Sequence, residues 1–124
     1  MAGTGVSEVG GALETTRLFI EALNARDVET LRAAVTPDVE LRTPQGAALR
    51  GYDGLDHIVR AAVETDLLLA RQGAERVDED SGITRVSVPV REFVRKGELH
   101  GTAVYEIRDG RIAAFEVVPA DRAT

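Results

Sequence analysis

Glu92 and Tyr105 are the side chains best placed to do chemistry, because the alternation around each puts it on an otherwise apolar strand face. A carboxyl in such surroundings is pushed towards its neutral form and serves as acid or base near neutral pH, while a tyrosine hydroxyl polarises a carbonyl or epoxide oxygen. Each has a structural rival. Glu92 also reads as a rim residue, solvated or paired with Arg91 or Arg95, and Tyr105 as a core aromatic with its hydroxyl at the edge. Other chemistries lack their groups. There is no Cys, hence no disulfide, thiol nucleophile or thiolate metal site. His57 and His100 are not spaced as a helical ligand pair and have no identifiable carboxylate to orient them, so neither a metal nor a cofactor is expected.

The stretch that must position both residues is Val86 to Pro119, VSVPVREFVRKGELHGTAVYEIRDGRIAAFEVVP. β-branched and aromatic residues alternate with polar ones, and Lys96-Gly97 and Asp109-Gly110 supply turns, so three consecutive antiparallel strands are expected. Register decides what faces inward, since a slip of one residue turns a strand's whole set of side chains over. A three-residue Arg108-Asp109-Gly110 loop puts Ala103 opposite Phe115 and Tyr105 opposite Ala113, whereas a two-residue Asp109-Gly110 turn puts Glu116 beside Ala103. The first aligns an apolar row and is preferred. With Lys96-Gly97 as a two-residue turn the row continues to Val90, with Val88 beside Tyr105 and Glu92 beside Gly101. Arg91, Thr102 and Glu116 then fall on the outer face. Whether Glu92 or Glu116 faces the interior rests on this choice.

Upstream, Val9, Leu13, Thr16, Ile20 and Leu23, with Ala12 and Phe19, recur at helical spacing from about Ser7 to Asn24. Asp27 is placed to cap a short helix over Val28 to Val35, which Pro37 stops. Val39, Leu41 and Thr43 alternate with Glu40 and Arg42 as a strand ending in a Pro44-Gln45-Gly46 turn. Gly51 to Gly54 leads into a third helix capped by Asp53, with Leu55, Ile58, Val59, Ala62 and Val63 on its inner face and His57 off it. Leu67 to Asp80 is open between a helix extension and a strand bending at Gly73, and the strand is preferred.

This order describes an α+β domain in which a curved, mainly antiparallel sheet wraps around three N-terminal helices as a cone-shaped barrel. It spans residues 8–119, between a flexible tail at 1–7 and a short one at 120–124. The interior of such a cone is either filled by side chains or open as a pocket. Phe19, Leu23, Leu41 and Thr43 would line it from the first helix and strand, with Val59 and Val63 from the third helix. Val88, Val90, Ala103, Phe115 and Val117 would join them from the later strands. Gly101, inside a strand, marks a bend or bulge.

At 124 residues and 44% hydrophobic, one domain is the default. The net charge of −6 and pI near 4.9 argue against nucleic-acid or anionic-membrane partners, which need a basic surface. Arg85, Arg91, Arg95 and Lys96 read as a solvated face or an interface. No uninterrupted apolar run approaches a membrane span. Met1 to Gly11 lacks the basic start and apolar centre of a signal peptide, so a cytoplasmic protein is expected.

Four segments in this order resemble a known family: Phe19 to Asp27, Pro37 to Leu41, Arg50-Gly51 before a helix, and Tyr105 to Ile112. Together they are similar to the nuclear transport factor 2-like superfamily, in particular its SnoaL-like branch. The resemblance implies the same cone-shaped barrel, a homodimer through the outer sheet face, and a hydrophobic cavity for a small apolar molecule. It implies no single activity, since the superfamily includes isomerases, polyketide cyclases, epoxide hydrolases, dehydratases and non-catalytic binding modules. Matching the ketosteroid isomerase motifs puts Thr43 at the base, Phe19 at the tyrosine and Ala103 at the protonated carboxyl, so those three groups are absent and that activity is disfavoured. Two readings stay open: a cofactor-independent isomerase, cyclase or hydrolase using Glu92 and Tyr105, or a non-catalytic ligand-binding or dimeric structural module with a filled cavity.

Overall fold

The computed structural model describes the backbone of residues 4–42 and 48–120, with side chains from Gly11 onward. Among these residues the order is α1 (Thr4–Ala25), α2 (Val28–Ala34), β1 (Val35–Arg42), β2 (Ala48–Arg50), α3 (Gly51–Thr65), β3 (Leu68–Arg71), β4 (Arg76–Asp80), β5 (Ile83–Val94), β6 (Gly97–Arg108) and β7 (Arg111–Pro119). The sheet runs β2-β1-β7-β6-β5-β3, with β4 paired to the first half of β5. All pairings are antiparallel except β1 with β7. The result is the expected α+β class: helices against a curved sheet that does not close.

α1 buries Ala12, Thr16, Phe19, Ile20 and Leu23, positions three and four apart that form one stripe. α2 is capped as its sequence suggests, since the Asp27 carboxylate accepts from the Thr30 N–H at 3.3 Å and from its hydroxyl at 2.6 Å. α3 is not. It begins at Gly51, Arg50 occupies the cap position without a side-chain bond, and Asp53 lies within the first turn. Gly51 stands at the junction of β2 and α3, and its φ of 70° lies in the left-handed region, which a residue with a Cβ resists. Ahead of it, Ala48–Arg50 is a strand too short for alternation to reveal. β1 begins at Val35, before Pro37, with its pairing to β7 irregular between Val35 and Glu40. The expected strand over 67–80 is present as β3 and β4, which pair with opposite halves of β5 on either side of Gly73. The Pro44-Gln45-Gly46 turn and Thr43 lie outside the described residues.

The register of the central meander differs from expectation by two residues in both hairpins. Asp109 (φ 53°) and Gly110 (φ 80°) form a two-residue turn with both angles positive, where a three-residue loop is the sequence reading. Glu106 pairs with Ala114 while Ile107 pairs with Ile112, so Ala113 is an extra residue bulged out of the ladder. Ala103 therefore faces Val117, and Tyr105 faces Phe115. In the other hairpin the turn is Arg95-Lys96, Val88 pairs with Ala103, and Glu92 pairs with Leu99 and not Gly101. Because side chains alternate with period two, a two-residue displacement leaves every one on its expected face. Val90, Ala103 and Phe115 are all buried.

Candidate functional site

The concave face is built in cross-strand rows. One row carries Leu41, Phe115, Tyr105, Val86 and Val77 across β1, β7, β6, β5 and β4. The next carries Val117, Ala103 and Val88, and further along the hairpin come Gly101 with Val90, then Leu99 with Glu92 and Leu69. Phe19 of α1 packs onto the first row, its ring centroid 5.8 Å from Tyr105 in an edge-on arrangement and 5.0 Å from Phe115. Tyr105 and Phe115 lie 4.9 Å apart. Three aromatic rings thus cover the middle of the sheet, an arrangement that adds to plain area burial.

At Gly101 the backbone of β7 leaves no room for a side chain on β6. A Cβ on it would lie 2.6 Å from the Val118 carbonyl oxygen. Its role is close backbone approach in the curved sheet.

Glu92 faces inward at the open end of this surface and is half-buried. Its ladder partners are Leu69, which is buried, and Leu99, which is 56% exposed. Loss of water around the carboxyl holds its pKa above the usual carboxylate range. Among the described residues no cation or donor meets it. Arg91 belongs to the opposite face, where its Nε lies 3.0 Å from Glu98, too poorly aligned to count as a hydrogen bond. Arg95 is exposed in the turn, with its N–H given to the Thr65 carbonyl at the end of α3.

Tyr105 is wholly buried, and its hydroxyl has no hydrogen-bond partner among the described residues. Burial pushes the phenol pKa far up, so it remains a neutral donor at any physiological pH. Glu92 and Tyr105 share a face but are not brought together. Six residues of β6 separate Tyr105 from Leu99, the partner of Glu92, which is roughly 20 Å of strand. The expected register sets them four residues apart.

Of the other residues expected to line the interior, Phe19, Leu23, Leu41, Val59, Val88, Val90, Ala103 and Phe115 are buried. Val117 is partly buried against the same core. Val63 is not inside: it is 54% exposed in the last turn of α3, where the buried stripe has moved to Ala62.

Three polar residues that frame the site are not apparent from the sequence. The Asn24 side chain bonds both the N–H and the carbonyl of Leu69. Arg26, with φ 60°, gives its guanidinium to the carbonyls of Leu23, Ala62 and Leu67, joining the ends of α1 and α3. Glu75 takes two bonds from Arg17 at 2.8 and 3.1 Å and one from Arg71 at 2.9 Å. All three are tertiary pairings across long sequence separations or irregular segments. The left-handed angle at Arg26, just past a helix end, falls where Gly or Asn is the usual signature, so Arg there gives no local signal either.

Among the described residues no group of three or more His, Asp or Glu is placed to hold a metal ion, and no helix is long and apolar enough to cross a membrane. A surface groove of about 380 Å³ beside Thr15, Leu18, Glu29 and Thr30 lies outside the cone.

Residues 16–115 match the family model described as a SnoaL-like domain. The chain belongs to that family. Solved structures share its nuclear transport factor 2-like fold. A protein of unknown function with a cystatin-like fold from Methylobium petroleophilum aligns with a TM-score of 0.76 at 20% identity, covering 90% of this chain and 76% of that one. A protein designated a polyketide cyclase from Sinorhizobium meliloti aligns at 0.65 and 21% identity, covering 84% and 93%. An epoxide hydrolase from M. tuberculosis aligns at 0.67 and 17% identity, covering 91% and 85%. At these identities the likeness establishes the fold. No curated protein matches the chain significantly. Among the described residues, the concave face carries a carboxyl near its rim and a hydroxyl at its floor that have no hydrogen-bond partner.

Proposed function

We propose that the concave face takes up a small, largely apolar molecule at its Glu92 end, and that Glu92 is the acid or base of a cofactor-independent isomerisation, cyclisation or hydrolysis. The position of the carboxyl carries this reading: inward-facing, half-buried between Leu69 and Leu99, and with its pKa raised by desolvation. A carboxyl whose neutral form is favoured by desolvation donates a proton to an oxygen that gains charge, and once ionised it removes one from carbon or water. The fold shared with a designated polyketide cyclase and an epoxide hydrolase supports this range of reactions. An orthodox ketosteroid isomerase is disfavoured, because Phe19 and Ala103 offer no hydrogen-bond donor.

The test is incubation with a panel of small cyclic ketones and epoxides, with products followed by mass spectrometry. Glu92→Gln should abolish turnover of whichever compound reacts while changing its dissociation constant by less than about twofold, the signature of a group needed only in the transition state. Undiminished turnover in the variant removes Glu92 from the mechanism.

A second reading, a non-catalytic module with a filled interior, is favoured by the tight cover over Val88, Val90, Ala103 and Tyr105, each at most 1% exposed. Either reading accommodates a homodimer through the convex face, which we propose on the mixed surface of Thr102, Val104, Ala114, Glu116 and Val118. Val118 and Pro89 on that face are exposed in the single chain. Two ion pairs lie on it, Arg42 with Glu40 at 3.1 Å and Arg85 with Glu106 at 3.3 Å, which lowers the cost of covering those charges.

A further inference from the structure

We infer that the groove between α1 and α2 is a second binding site, separate from the concave face, and that it takes a small organic ammonium ion: a protonated amine on a short apolar body.

The groove exists because small residues meet there. Ala33 and Ala34 of α2 and Gly110 of the β6–β7 turn leave a hollow of about 380 Å³ beside Leu18 of α1, which is 44% exposed. That volume falls within the roughly 300–1,000 Å³ of small-molecule sites. Leu18 and the two alanines give it an apolar lining, so the occupant needs an apolar body.

The polar lining decides the rest. Thr15 gives its hydroxyl proton to the Gly110 carbonyl at 3.3 Å, and Thr30 gives its own to the Asp27 carboxylate at 2.6 Å. Both partners can only accept, so these donors are spent within the chain. What the lining side chains offer a visitor is hydroxyl lone pairs and the carboxylate of Glu29. The visitor's polar group must therefore donate.

Charge points the same way. Glu14 and Glu21 stand exposed one turn to either side of Leu18. The three arginines between Thr4 and Ala34 are held elsewhere: Arg17 by Glu75, Arg32 by Asp56, and Arg26 by the carbonyls of Leu23, Ala62 and Leu67. Arg108 and Arg111 flank the turn but alternate with the buried Ile107 and Ile112, which sets them on the other face of the hairpin. An ammonium ion thus meets acceptors and carboxylates, whereas an anion finds no donor. A lysine of another protein carries the same group. Leu18, however, is the one large exposed apolar side chain described on α1 and α2, too little for the core of a protein interface.

Cyclohexylmethylamine and cyclohexylmethanol, alike in shape but cationic and neutral, test this by amide chemical-shift titration of the full-length protein at pH 7 and low salt. The amine should move the amides of Thr15, Leu18, Glu29, Ala33 and Gly110. It should bind about fivefold to tenfold more tightly than the alcohol, with the difference shrinking as salt is added. Glu29→Gln should weaken the amine about threefold to fivefold and leave the alcohol unchanged. Ala33→Leu, which fills the hollow, should abolish binding of both. Positions 29 and 33 are exposed, so both variants should melt as wild type does. Nα-acetyl-lysine methylamide should bind no more tightly than the amine, and tighter binding overturns the assignment to a free small molecule. Failure of the amine to bind, equal affinities for amine and alcohol, an amine affinity unmoved by Glu29→Gln, or shifts centred on the concave face overturn the inference. All of these outcomes leave the Glu92 reading standing, since its test uses other probes and another variant.

Discussion

The side-chain amide of Asn24 closes a two-bond ring with the main chain of Leu69: Nδ2 donates to the Leu69 carbonyl at 2.9 Å, and Oδ1 accepts from its N–H at 2.8 Å. Leu69 sits in β3, the last strand of the sheet, so the amide occupies part of an edge that would otherwise offer unpaired groups to another chain. The same two bonds fasten the end of α1 to the rim that carries Glu92. Asn24→Leu leaves a part-buried N–H and carbonyl without partners and should cost about 2–4 kcal/mol in urea unfolding. Asn24→Asp keeps the acceptor and loses the donor, so it should fall between the two. Equal stability of Asn24→Leu and wild type would show that water replaces the ring.

Glu75 anchors the segment between β3 and β4 to α1, and its side chain is only 8% exposed. Hydrogen bonds from Arg17, with help from Arg71, bring its pKa down to about 2 from an ordinary 4.5. A carboxylate with a depressed folded-state pKa contributes stability in full above its unfolded value and loses it as pH falls through the folded one. Wild type should therefore lose stability between about pH 4.5 and 2 more steeply than Glu75→Gln, and the variant should be weaker by about 1–3 kcal/mol near neutrality. Chemical denaturation across that pH range measures both, and parallel curves would discount the Arg17 clamp.

Gly101 leaves no room for a side chain, because a Cβ would press on the Val118 carbonyl at 2.6 Å and that atom is backbone. Gly101→Ala must separate β6 from β7 and should cost about 1–3 kcal/mol, with an unchanged dependence on denaturant. The amide exchange of Gly101 and Val118 should rise in the variant if the strands part there. Wild-type stability would mean that the sheet flattens at no cost.

How much of this was legible in the sequence follows from what each signal encodes. Alternation has period two, so it assigns Glu92, Ala103, Tyr105 and Phe115 to the concave face and Thr102 and Glu116 to the convex one even with both hairpins displaced. The displacement itself was hidden. It comes from the Ala113 bulge in one hairpin and from a turn at Arg95-Lys96 in the other, backbone events with no composition of their own, and the second of these separates Glu92 from Tyr105 by two further residues. The Asp27 cap was readable because it acts within one turn. Asn24, Arg26 and Glu75 act across the fold, where a single sequence offers no partner to pair them with.

For the proposed homodimer, light scattering at micromolar concentration should give twice the 13.3 kDa chain mass. Val104→Arg with Val118→Arg puts two added charges on the convex face, where they stay solvated in a monomer and would be desolvated in a dimer. The variant should keep its circular dichroism spectrum and run at the mass of one chain. A wild type already at that mass ends the proposal.

Glu92 allows a test that needs no substrate. Its folded-state pKa is raised by desolvation, the opposite of Glu75, so the sign of the linkage is reversed. The neutral form suits the folded site, and the stability associated with it is present below the unfolded carboxylate pKa, near 4.3, and lost as pH rises through the folded one. Glu92→Gln, which cannot ionise, should match wild type below the unfolded carboxylate pKa and exceed it once pH has risen through the folded-state pKa, with a higher melting temperature there. The midpoint of the difference between the two curves reports where Glu92 titrates. If the proton acted on in the reaction is held by this carboxyl, the pH profile of turnover must share that midpoint in the free protein. A stability difference flat from pH 4 to 8 would mean that the carboxyl is as well solvated in the folded chain as in the unfolded one, and Glu92 would then have no special fitness as an acid.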